Sequence, residues 1–284
     1  MIFCRIDRRE LYVRAELKLQ KLLEETFENH ERYSHSSDRR SLDRALESYF
    51  QARDVAQSLD LPPVMPILLI GIALAEQFAD AHSDRRGPDG QTALNLIELA
   101  TVEASELGQM EMVHHAGMLK AQVLADWVEG DRKENFEQSV AILSALVDRY
   151  RKAGPAFAVE LAEALTELGY TYSEARIGHE ADNTEFAIAY LEEAAAILPD
   201  DAPDRLRGNI FLYLGDGYKS RMRGDYLANL KLAAQYYESA EPVFLSAGLE
   251  SRAARASASF HALMPRIAGL SSNALNARRK RGDR

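Results

Sequence analysis

Asn209–Ala240 reads NIFLYLGDGYKSRMRGDYLANLKLAAQYYESA. The run Leu214-Gly215-Asp216-Gly217-Tyr218 within it admits two readings: a glycine-rich turn that cradles a phosphate, or a place where two helices touch. The choice separates an enzyme from a binding surface. The second half of the stretch begins to decide it. Ala233, Tyr237 and Ala240 are spaced four and three apart, which places them on one stripe of a helix. The same spacing recurs upstream in Ala187, Leu191 and Ala194, in Ala93, Ile97 and Ala100, and in Ala45, Tyr49 and Ala52. A worn copy stands at Ser139, Leu143 and Leu146. The first members, at 45, 93, 139, 187 and 233, lie 48, 46, 48 and 46 residues apart.

A second figure precedes four of these triplets. A small residue is followed three later by a larger apolar one: Ala75 and Phe78, Ala121 and Leu124, Gly169 and Tyr172, Gly215 and Tyr218. Each small residue stands 18 before the first member of its triplet. Polar, turn-forming segments separate the two figures: SDRRGPDGQ (83–91), EGDRKEN (129–135), IGHEADNTE (177–185) and RMRGDY (221–226). Prolines fall between units, at Pro62, Pro63, Pro155, Pro199 and Pro203. Each unit therefore reads as helix, polar turn, helix. Gly215 sits inside the first helix of its unit, where smallness permits contact. Gly217 has no counterpart, since Thr171, Val123 and Gln77 hold its place elsewhere, and this reading assigns it no role.

The composition agrees with an all-helical globular protein: 284 residues, 46% hydrophobic and 27% charged, few Pro and Gly, and abundant Ala, Leu and Glu. The lone Cys4 excludes an internal disulfide framework and a cysteine-based zinc site, and fits a reducing compartment. The first residues meet charges too early for a secretory signal. Pro66–Ala75 is the most apolar stretch, about half the ~20 residues that span a bilayer. A cytoplasmic location without a membrane span is expected. The net charge of −10 argues against general nucleic-acid binding.

Leu168-Gly169, Tyr172, Ala187, Leu191, Ala194 and Pro199 resemble the tetratricopeptide repeat pattern, and Leu214-Gly215, Tyr218, Ala233, Tyr237 and Ala240 match it again without the proline. The family repeat is about 34 residues, and the units here are longer. In length they look like the repeats that accompany caspase-like CHAT peptidase domains, although no such peptidase domain is present. The resemblance covers about residues 10 to 264. It implies an all-α, right-handed superhelical solenoid of five hairpins, in which neighbours stack because no hairpin buries both faces alone. The single domain expected over 1–270 has units at about 10–60, 64–108, 111–153, 157–199 and 203–247, a capping helix at 250–264, and a basic, disordered tail at 271–284.

The resemblance also implies a ligand groove lined by the first helix of each pair. Counting from each small residue, its positions hold Glu76, Asp80, Gln122, Asp126, Tyr170, Glu174, Asp216 and Lys219, with Ala79, Ala125, Ser173 and Ser220 beside them. Six and three residues upstream come Leu69 and Ile72, His115 and Met118, Glu163 and Thr166, Asn209 and Leu212. Relatives that clamp acidic chaperone tails carry Lys and Asn at several of these places, and this chain does not. The predominance of carboxylates points to a protein or peptide partner with a basic segment. A blander reading stands beside it, since a chain of net charge −10 shows acid on every face. The basic run Arg278-Arg279-Lys280-Arg281 is a solubilising end, a nuclear or surface address, or a ligand that folds back in cis.

Motifs for catalysis are lacking: the chain contains no Walker loop, GxGxxG, HExxH or GxSxG. The seven histidines are scattered, and the adjacent His114 and His115 point apart on a helix. No cofactor or metal is expected. A non-catalytic binding scaffold is the expected function. The alternatives are a ligand- or peptide-sensing regulator with an apolar pocket between Leu69, Ile72 and Met118, and, behind it, an atypical helical enzyme.

Overall fold

A computed structural model describes residues 19, 21–22, 24–26, 28–29, 39–58, 90–126 and 131–282 of the chain. Every regular element among them is helical. In order these are α1 (Arg39–Ser58), α2 (Gly90–Glu106), α3 (Met110–Asp126), α4 (Arg132–Ala153), a 3-10 turn at Pro155–Phe157, α5 (Ala158–Glu174), α6 (Glu180–Ile197), α7 (Asp204–Ser220), α8 (Tyr226–Ser246) and α9 (Glu250–Gly282). The chain divides into two compact units, Met1–Ile142 and Leu143–Arg284. Most packing joins helices adjacent in sequence, so contacts divide readily along the chain.

Local chemistry sets the helix ends. Asp131 precedes α4, and its Oδ1 accepts from the backbone N–H of Lys133 at 2.8 Å. Asp225 does the same for α8, accepting from the Ala228 N–H at 2.7 Å. Gly108 and Gly248 close α2 and α8 at φ +68° and +69°, where a side chain is rarely tolerated. There the Gly248 N–H donates to the Leu245 carbonyl and the Leu249 N–H to the Phe244 carbonyl, satisfying two orphan acceptors. α9 continues to Gly282, beyond the 250–264 expected. Pro265 removes one backbone donor without ending it, because alanine and leucine on both sides keep the helix favourable. The segment expected as a disordered tail is thus helical as far as Gly282.

All five triplets read from the spacing are buried. In the first unit Tyr49, Ile97 and Leu119 are enclosed with Leu19, Ala45, Ala52, Ala93 and Ala100. Ser139, the irregular member, donates its hydroxyl to the Ala121 carbonyl at 2.9 Å. That bond joins α4 to the small residue 18 positions upstream and satisfies a buried polar group.

The second unit shows why glycines recur. A Cβ at Gly169 would stand 2.7 Å from Leu191 Cγ, and one at Gly215 would stand 2.6 Å from Tyr237 Cε1. The small position of α5 receives the large residue of α6, and that of α7 receives the large residue of α8. Gly208 repeats the device one level down, against Phe244. Gly217 has its reason too: a Cβ there would meet Ile188 Cγ1 at 3.0 Å. It faces the preceding hairpin, so α7 approaches α6 through one glycine and α8 through another.

The turns repeat as well. Asn183 Nδ2 donates to the Ile177 carbonyl at 2.7 Å, and Asn229 Nδ2 to the Arg223 carbonyl at 2.8 Å. Beside them Gly178 and Gly224 adopt φ +78° and +83°. Tyr218 crosses between hairpins, donating its hydroxyl to Glu192 while its ring stacks on Tyr236.

Candidate binding cleft

A cleft of about 270 Å³ opens in the second unit among α5, α6, α7 and α9. α5 contributes Tyr170, Ser173 and Glu174, α7 contributes Tyr213, Asp216, Lys219 and Ser220, and α9 adds Arg255. The helical period aligns them: Tyr170 and Glu174 are four apart, and so are Asp216 and Ser220. Tyr170 and Tyr213 form an aromatic wall, their ring centroids 5.0 Å apart.

Four residues expected in a groove, Tyr170, Glu174, Asp216 and Lys219, are therefore brought together. Asp216 is not an open carboxylate. Its Oδ1 accepts from the Tyr237 hydroxyl at 2.6 Å and from Lys219 Nζ at 3.2 Å, and its Oδ2 accepts from Arg255 Nη2 at 2.7 Å. Burial and the bond to Asp216 hold the Tyr237 phenol well above the ordinary tyrosine range. Burial, followed by the nearby Glu167 carboxylate, pushes Tyr213 up to about 12. Both phenols stay protonated at neutral pH, and Tyr237 acts as a fixed donor to Asp216.

The other expected site residues fare differently. His115 lies inside α3 and is 5% exposed, with its Nε2 3.6 Å from Glu111 Oε1. It is a core residue of the first unit, not part of an open groove. Its ring lies against that of His114, 5.3 Å between centroids, although neighbours on a helix were expected to diverge. Side-chain rotation offsets the 100° step between adjacent residues. Met118, Thr166 and Leu212, placed three before each small residue, are also buried. Gln122 and Glu163 are half-buried on α3 and α5. Asp126 ends α3. Glu76, Asp80, Leu69 and Ile72 lie outside the described residues.

Arg252 and Arg255 escaped the sequence reading, although a signal for one of them existed. α5, α7 and α9 begin at 158, 204 and 250, so Arg255 continues the series His115, Glu163 and Asn209 at the same interval of 46 to 48. Treating α9 as a cap removed it from the count.

Among the described residues no group of three or more His, Cys, Asp or Glu is placed to hold a metal ion. No helix among them is long and apolar enough to cross a membrane. No protein-family model matches the chain, and no curated protein matches it.

Proposed function

We propose that the chain is a non-catalytic scaffold that binds a protein or peptide along the first helices of a tetratricopeptide-like solenoid. The observation that carries this reading is the repetition of one contact set in register. The glycine-to-large-residue contact recurs from Gly169 and Leu191 to Gly215 and Tyr237, and the asparagine latch from Asn183 to Asn229. Units that repeat a packing solution display the same helix face at regular steps, and an extended partner can follow such a series. The cleft adds support, since Tyr170 and Tyr213 offer an aromatic wall beside polar groups from three helices.

The charge of the partner follows from where the acid lies. Nine of the ten net negative charges fall in residues 1–142, whereas 143–284 are close to neutral. We assign a basic segment of the partner to Glu76, Asp80 and Asp126, with Glu174 available in the second unit. Reversing Asp80, Asp126 and Glu174 to Lys and purifying the chain from its native host tests this. A partner captured by the parent chain should be lost from the variant while circular dichroism stays unchanged. Its full retention would refute the groove.

A further inference from the structure

Four charged side chains line the cleft, two of each sign: Glu174 of α5, Asp216 and Lys219 of α7, and Arg255 of α9. Net charge therefore does not choose an occupant, and the choice falls to the acceptors and donors still open. Asp216 is filled by Tyr237, Lys219 and Arg255. Glu174 is not. Among the described residues it accepts no hydrogen bond and joins no ion pair, not even with Arg176 two residues on.

Its position adds a second argument. Glu174 is the last residue of α5, whose final turn holds no basic side chain. Carbonyls without intrahelical donors make that end the negative pole of the helix, where a cation is stabilising and a carboxylate is not. α7 also ends in the cleft, at Ser220, and there Lys219 supplies the cation. α5 has only a further negative charge.

The rest of the lining suits a flat cation. Tyr170 and Tyr213, their centroids 5.0 Å apart, carry π-systems whose faces attract a cation and repel an anion. Ser173 donates its hydroxyl proton to the Tyr170 carbonyl at 2.8 Å, which leaves its oxygen to accept. Ser220 adds a second hydroxyl oxygen. An anion would have to share Lys219 and Arg255 with Asp216 while facing Glu174. At about 270 Å³ the cleft is smaller than pockets for drug-sized ligands and suits one long side chain. A guanidinium is planar, stacks on aromatic rings, and donates two parallel N–H bonds to one carboxylate.

We propose that the cleft is a subsite for one arginine side chain of the partner. Glu174 is its counter-ion, Tyr170 and Tyr213 are its stacking wall, and Ser173 and Ser220 are further acceptors. The identity of the bearer rests on the groove reading; the affinity for the side chain does not. The test is a titration of the full chain with the N-acetyl amides of arginine, lysine and citrulline at matched ionic strength. Citrulline keeps the shape of arginine without its charge. The arginine probe should bind saturably, the lysine probe roughly threefold or more weaker, and the citrulline probe about tenfold or more weaker. Glu174→Gln should weaken arginine binding about tenfold. Glu238→Gln removes an equal charge from an exposed position of α8 and should leave binding unchanged. Tyr213→Leu should also weaken it, and if that variant fails to fold, Tyr170→Leu and the exposed Ser220→Ala carry the comparison. Lysine or citrulline binding as tight as arginine, or equal affinities in Glu174→Gln and Glu238→Gln, overturns the subsite. So does absence of saturable arginine binding, which leaves the groove reading standing if the reversal of Asp80, Asp126 and Glu174 still abolishes partner capture. Arginine binding by the parent chain, with capture retained by that reversal, would sink the groove reading alone.

Discussion

Gly215 shows how a single missing methyl group sets a helix separation. In an isolated helix, Gly215→Ala would gain roughly 0.5–1 kcal/mol from reduced backbone freedom. Here the added Cβ would stand 2.6 Å from the Tyr237 ring, whose hydroxyl is anchored on Asp216. The ring cannot move away without breaking that bond. Overpacking of this kind costs about 1–3 kcal/mol, so Gly215→Ala should lower the urea midpoint, and a midpoint equal to or above the parent would refute the contact. The spacing revealed Gly215 as a packing residue because its neighbour recurs at a fixed offset. Gly217 was illegible, because its neighbour Ile188 belongs to the previous hairpin and leaves no periodic trace in its own.

Between elements, ion pairs stitch one hairpin to the next. Arg221, just after α7, grips Glu185 of α6 at 2.7 Å, and Arg223 reaches Asp182 of the same helix. On the other end of α6, Arg151 of α4 holds Glu193 with both oxygens at 2.7 Å. The bond from Arg221 holds the Glu185 carboxyl below the usual glutamate range. A depressed carboxyl contributes stability that is present above the unfolded pKa of about 4.3 and is lost as pH falls through the folded value. Glu185→Gln should therefore be less stable than the parent at pH 7, and the gap should narrow below about pH 4. A gap in the urea midpoint that stays constant from pH 7 to pH 3 would show that the pair contributes nothing through charge. These partners lie 36 to 42 residues apart, and long side chains on a solvated surface show no pattern that reveals whom they meet.

At the scale of the molecule, the second unit has a core of its own in Leu165, Leu191, Ile210, Tyr237 and Phe244, all 0% exposed. A fragment spanning 132–284 should hence keep its helical circular dichroism and unfold in one cooperative urea transition. A gradual, non-cooperative loss of signal would refute its independence. Among the described residues, the helical character and the buried triplets were determined by the sequence alone, because they follow from a period of 3.6 residues and from turn chemistry within a few residues of each break. Tertiary structure decided the rest. It buried His115, extended α9 past Pro265, closed Asp216 with Arg255, Lys219 and Tyr237, and left Arg252 beside an amide instead of a carboxylate. Each of these depends on which distant side chain arrives at a given face. The repeat period determines which face a residue occupies, but the charge and shape of the site come from neighbours that only the packed chain brings together.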